Sequence, residues 1–299
     1  MRKSICRIFS FIISISIVLS TVACSKESGI QKSKIKHRRQ SWLNTINWDE
    51  NRLDYTGKNI RIAIIDSGID MEVKELSGKI KNEKNIADIS NYNDKKHGTA
   101  VASIIAAESS SEKQVEGIAP DVSIVSIDVT NQEDGIVEVS DLAEGINEAI
   151  SNGVDIINVS VGCTEDNENL KQAVENAINN NVIIIASAGN YTQDNILFPS
   201  KYDGVLSVGS LNKKGEILYP KEVTDKKVLY FPGEKIVAAI GNNKYSGCEG
   251  TSFSNAICTG LVALLLEKKN DKKAVKRYLE EIDYTNSLDF VKIIENYDL

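Results

Sequence analysis

Residues 59–66 read Asn59-Ile60-Arg61-Ile62-Ala63-Ile64-Ile65-Asp66, and Ser67-Gly68 follow directly. An Ile-rich run of this length, closed by an acid and a glycine, predicts a short strand buried on both faces. A strand with one wet face would show a polar residue at every second position. Three further Ile/Val-rich runs, Val122–Val129, Asp155–Val161 and Val182–Ala186, predict strands of the same kind. Helical patterns lie around and between them, over His97–Ala107, Ser140–Asn152 (with Gly153 as its stop), Leu170–Asn180 and Ser252–Lys268. Strands alternating with helices imply right-handed crossovers and a three-layer α/β fold, its mostly parallel central sheet covered by helices on both faces.

Chemistry in such folds gathers outside the carboxyl ends of the strands. Asp66-Ser67-Gly68 ends the first strand, His97-Gly98-Thr99 opens a helix, Ser187-Ala188-Gly189-Asn190 follows a buried strand, and Gly250-Thr251-Ser252 opens the last long helix. A serine hydroxyl needs a base to become a nucleophile, and a histidine has the right basicity. The chain has two histidines, and His37 lies in a polar N-terminal stretch, so His97 is the candidate base. Asp66 would orient its ring, and the start of the helix at Ser252 would present a backbone N–H and the positive end of the helix dipole to a developing oxyanion. Taken singly, Asp-Ser-Gly reads equally as a turn and Ser252 as a helix cap.

Together, and in the order Asp, His, Asn, Ser, these motifs closely resemble the subtilisin-like serine peptidases. The resemblance runs from about Trp42 to Lys268 and includes Gly117-Ile118-Ala119-Pro120, Ile157 to Gly162, Phe198-Pro199-Ser200-Lys201-Tyr202 and Pro232-Gly233. It implies a catalytic triad of Asp66, His97 and Ser252 and an oxyanion-hole amide at Asn190. It also implies a pocket for the side chain before the cut, walled by Ser160-Val161-Gly162 and Ser187-Ala188-Gly189. Phe253-Ser254-Asn255-Ala256 departs from the family after the serine, where Met or Leu, Ala, a small residue and Pro are usual. Ala100 stands where many members carry a second histidine. Glu108–Glu116 lacks the Asn- and Gly-rich calcium loop of secreted subtilisins, so no metal or other cofactor is expected.

The N-terminus reads as an export signal. Arg2, Lys3 and Arg7 are basic, Ile8–Leu19 is apolar apart from serines, and Thr21-Val22-Ala23-Cys24 resembles the cleavage box of bacterial lipoproteins. That resemblance implies a signal over residues 1–23, a lipid on Cys24 and attachment to the outer face of the cell membrane. A plain secretory signal is the alternative. Residues 24–40 form a polar tether ending in Lys32, Lys34, Lys36, His37, Arg38 and Arg39, suited either to an anionic membrane surface or simply to solvent. The peptidase domain then spans residues 41–299. Only about 17 residues separate Cys24 from that body, too few for a folded prodomain. Short members of this kind resemble the leader peptidases of lantibiotic clusters, which implies a peptide substrate such as a lanthipeptide leader. A broad degradative protease, or a retired peptide-binding lipoprotein, are the alternatives.

The formal charge of −7 argues against a nucleic-acid partner, which would call for a basic face. Of the five cysteines, Cys163, Cys248 and Cys258 remain once Cys6 and Cys24 are assigned to the signal and the anchor. Their number and spacing describe neither a disulfide framework nor a zinc site. The acids of Cys163-Thr164-Glu165-Asp166-Asn167-Glu168 follow the first pocket wall. At the pocket rim they would favour Arg or Lys before the cut; as a solvated loop they would have no influence.

Overall fold

The computed structural model describes residues 5–7, 40–49, 54–87, 94–108, 115–130, 136–190, 196–220, 223, 226–282 and 288–297. In chain order they form β1 (Ile5–Arg7), α1 (Trp42–Thr45), β2 (Arg61–Asp66), β3 (Ile80–Asn85), α2 (Lys96–Ala106), β4 (Ser123–Asp128), β5 (Ile136–Glu138), α3 (Val139–Ser151), β6 (Ile156–Val159), α4 (Glu168–Asn179) and β7 (Ile183–Ser187). There follow β8 (Leu206–Leu211), β9 (Ile217–Tyr219), β10 (Val228–Pro232), β11 (Ile236–Ala239), β12 (Tyr245–Cys248), α5 (Thr251–Lys268), α6 (Lys272–Glu281) and α7 (Phe290–Asn296). Cys24, the tether up to residue 39 and most of the expected signal lie outside the described residues.

The central sheet has eight strands in the order β10-β8-β7-β6-β2-β4-β3, with β9 attached to β8. Every pairing along this order is parallel, and only β9 runs antiparallel. The Ile-rich run at residues 60–65 shows why. Ile62 and Ile64 pack with α2 and α5 on one face, while Ala63 and Ile65 pack with α3 and α4 on the other. A strand that buries both sets of side chains must lie between two helical layers, and the three-layer fold follows. The segment from Gln40 joins this body: the Gln40 amide exchanges hydrogen bonds with the backbone of Glu116, and Trp42, Leu43 and Ile46 are buried.

Strand order also fixes where the chemistry sits. After β4, which lies on one side of β2, the chain crosses to β6 on the other side, so β2 stands where the direction of winding reverses. A crevice opens outside the carboxyl ends at such a reversal. Asp66 is the last residue of β2. The edge strand β3 carries the polar sequence IKNEKN and is exposed from Lys81 onward, so it offers no apolar run by which a strand could be read.

Candidate active site

Asp66 is buried at the end of β2, and its Oδ1 accepts the Ser67 backbone N–H at 2.7 Å. His97 lies in the first turn of α2, with Nδ1 2.7 Å and 2.9 Å from the two Asp66 carboxylate oxygens. A carboxylate only accepts, so Nδ1 carries the proton and donates it, and the lone pair of the neutral ring resides on Nε2. Gly98 allows this approach: a Cβ there would stand 2.2 Å from the Gly68 carbonyl oxygen. Any side chain would push α2 away from the turn that follows Asp66. Thr99 completes the junction, its Oγ1 accepting the Asp70 N–H and donating to the Lys95 carbonyl.

Ser252 is the second residue of α5 and is buried, with its Oγ 3.4 Å from the Ser160 carbonyl oxygen. Beside it, Asn190 Oδ1 accepts both the backbone N–H and the hydroxyl of Thr251, at 2.8 Å and 2.9 Å. Both Thr251 groups are donors here, so the oxygen of the amide must face them and Nδ2 is turned to the opposite side. A Cβ on Gly250 would lie 2.7 Å from Nδ2 and 3.1 Å from Oδ1. The Gly189 N–H donates to Thr251 Oγ1 at 3.3 Å, so one threonine joins the loop after β7 to the start of α5. The Phe253 ring lies 5.5 Å from the His97 ring, tilted by 50°, and is itself buried.

Sequence reasoning missed the polar bolts beneath Ser252. Asn255 Nδ2 donates to the Val159 and Ile185 carbonyls at 3.0 Å and 3.3 Å, tying α5 to β6 and β7. Ser254 Oγ donates toward the Phe231 and Pro232 carbonyls of β10, and Asn158 Nδ2 donates to Thr259 Oγ1 at 2.8 Å. Their signal was a polar residue inside an apolar run, as with Asn158 between Ile157 and Val159. Asp128 was also missed. It ends β4 directly beside Asp66, and burial raises its carboxyl above the usual range against the hydrogen bonds from Thr130, with the Asp66 charge a smaller contribution in the same direction.

The expected pocket segments are neighbours. Ser160, Val161 and Gly162 follow β6, Ser187 ends the adjacent strand β7, and Ala188 and Gly189 come next, all on the rim that holds Ser252. In the acidic stretch the hydrogen bonds of residues 166–168 are local. Asp166 accepts the Tyr202 hydroxyl at 2.7 Å, Asn167 caps α4 by accepting the Leu170 N–H, and Glu168 accepts from Gln172 one turn on. Acids are favoured at a helix N-terminus, and Glu168 lies in the first turn of α4. Of the two lysines before His97, Lys95 pairs with Glu83 at 2.6 Å and Lys96 with Asp94 at 2.8 Å.

Cys163, Cys248 and Cys258 are buried thiols outside any disulfide among the described residues. Burial pushes the Cys248 thiol up to about 12 and Cys258 in the same direction, which keeps both protonated and unreactive. Among the described residues no three His, Cys, Asp or Glu side chains converge on a metal position. Most of the stretch where a calcium loop would lie, residues 109–114, is outside those residues.

The model of the Subtilase family matches residues 57–284. The Major intracellular serine protease of Bacillus subtilis strain 168 is 34% identical over 238 residues, covering 75% of this chain and 73% of that protein. Subtilisin DY of Bacillus licheniformis is 33% identical over 220 residues, covering 72% and 79%. Among solved structures, the prenylagaramide maturation protease PagA has a TM-score of 0.69 at 28% identity, over 85% of this chain and 98% of that one. The nisin leader peptidase NisP of Lactococcus lactis has a TM-score of 0.75 at 20% identity, over 86% and 94%, a likeness of fold alone. The chain belongs to the subtilase family and is a subtilisin-like serine endopeptidase.

Proposed function

We propose that the chain cleaves a peptide substrate with Ser252 as nucleophile, His97 as general base and Asp66 as the group that orients the base. The observation that carries this reading is the pair of short contacts from His97 Nδ1 to Asp66, with Ser252 at the head of α5. Asp66 holds the ring with its Nε2 lone pair available to take the Ser252 proton as Oγ attacks the carbonyl carbon. The imidazolium formed is stabilised by the same carboxylate, which keeps its charge. The proton on Nε2 then passes to the leaving amine, and water repeats the cycle on the acyl-enzyme. The Ser252 N–H and Asn190 Nδ2 hold the oxyanion, and Thr251 fixes the amide so that Nδ2, not Oδ1, faces it.

The proposal extends to location and substrate. The signal-like residues 1–23 and the box before Cys24 support export and a lipid anchor on the outer face, with plain secretion as the lesser form. Cleavage before Cys24 would take β1 away with the signal. The likeness to a maturation protease, PagA, supports a processing role rather than general degradation, and the substrate proposed is a leader peptide of the lanthipeptide type. Fractionation of producing cells tests the anchor: wild-type protein should sit in the membrane fraction and Cys24→Ala in the medium or uncut, since stable attachment takes more than one acyl chain. Wholly soluble wild-type protein with an unmodified N-terminus would refute it. Digestion of a leader–core precursor and of an unfolded protein of similar length tests the role. One cut in the first with little action on the second is expected, and indiscriminate cutting of both points to degradation.

A further inference from the structure

We infer that Leu197 forms the floor of the pocket between the two wall segments and restricts the residue before the cut to a small side chain: glycine, alanine or serine. The inference rests on the reading of Ser252 as nucleophile and of Ser160–Gly162 and Ser187–Gly189 as walls.

The carboxyl ends of β6 and β7 are adjacent, and the gap between them lies next to Ser252. One stretch of chain crosses that gap. The Leu197 N–H donates to the Ala188 carbonyl on the second wall at 3.1 Å. Phe198 and Cys163 exchange both backbone hydrogen bonds at 2.9 Å, joining the same stretch to the end of the first wall. A crossing pinned at both sides cannot sink to make room. The Leu197 side chain is packed against the first wall. A Cβ on Gly162 would stand 2.9 Å from Leu197 Cβ and 3.1 Å from its Cδ1, so the leucine already occupies the space in front of the first wall. Leu197 is 1% exposed, which leaves it little freedom to swing aside.

Close-packed interiors resist extra volume, and a pocket distinguishes substrates by about tenfold or more for each methylene it cannot hold. A leucine, phenylalanine or lysine before the cut would have to displace Leu197 or the pinned crossing. Of the acids that would argue for lysine or arginine, Asp166 accepts from Tyr202 and Glu168 from Gln172. Size therefore decides at this position in the proposal.

The test is a series of quenched peptides identical except at the residue before the scissile bond, carrying Gly, Ala, Ser, Leu, Phe or Lys. For the full chain, kcat/KM should be at least about tenfold higher for Ala or Ser than for Leu, Phe or Lys. Leu197→Ala should narrow or reverse that ratio, and Leu197→Val, a smaller change, should shift it in the same direction if the alanine variant does not fold. A wild-type preference for Leu, Phe or Lys would overturn the inference, as would a profile unchanged in the folded variants. Labelling by a fluorophosphonate probe separates the two readings. Labelled Ser252 with the wrong preference sinks only the floor, whereas no labelling and no cleavage of any peptide removes the catalytic reading and the floor with it.

Discussion

Gly250 holds φ at +130° immediately before Thr251 and Ser252, and a Cβ there would lie 2.7 Å from Asn190 Nδ2 and 3.1 Å from its Oδ1. Replacing it by alanine therefore acts twice. The backbone conformation, which side-chain-bearing residues rarely adopt, costs about 1–3 kcal/mol of stability. The methyl group also presses on the Asn190 amide, which Thr251 holds through Oδ1, and displaces it from the oxyanion position. Loss of a side-chain donor of this kind lowers kcat by about 10²–10³, a magnitude taken from subtilisin itself. Gly250→Ala should then show a modest drop in melting temperature, a kcat lower by two orders or more and a nearly unchanged KM. Steady-state kinetics on a good peptide, normalised to folded protein, reads all three. Because the variant is argued to act through Asn190, Asn190→Ala should cost a similar factor. The double variant should fall well short of the product of the two losses, as coupled sites do. Wild-type kcat in Gly250→Ala, or losses that multiply in full, would refute this account of the oxyanion site.

Two further outcomes follow from buried polar groups. Asn255→Ala removes both bonds to the Val159 and Ile185 carbonyls and should destabilise the fold by about 1–3 kcal/mol, read by urea unfolding; an unchanged midpoint would mean these bonds add nothing. Burial lowers the Lys226 ammonium to about 8 from its ordinary 10.5, with its Nζ donating to the Tyr202 carbonyl. Between those values the unfolded chain binds the extra proton, so the Lys226 contribution to stability rises as pH increases through that window. Lys226→Met should therefore gain stability relative to wild type at pH 7.5 and lose that advantage by pH 10.5. A pH-independent difference would contradict the burial argument.

The Ile-rich run at residues 60–65 made the sheet legible because burial on both faces leaves no polar periodicity to confuse, and β4, β6 and β7 share that property. Its edge was not legible, since β3 buries almost nothing and its composition is that of a loop. Asp66, His97, Asn190 and Ser252 stood out through tripeptides at strand ends and helix starts, where position and chemistry coincide. Asp128, Asn158 and Asn255 did not, because a lone polar residue in an apolar run has no fixed meaning until its partners are known. The acids at residues 165–168 leave a charged rim and a solvated loop as equal readings of the sequence. Read as a charged rim they point at a substrate, while in the fold Asp166 bonds to Tyr202 and Glu168 opens α4. Leu197 is silent in sequence, for its effect depends on a crossing that hydrogen bonds pin to both walls.

Reaction of the full chain with a fluorophosphonate probe, with the adduct mapped by mass spectrometry, shows whether Ser252 is a nucleophile activated by His97. A single adduct on Ser252 is predicted. It should be absent in Ser252→Ala and slowed by orders of magnitude in His97→Ala, with both variants folded and peptide cleavage falling in parallel. An adduct on another residue, or cleavage that survives Ser252→Ala at most of the wild-type rate, would contradict that role.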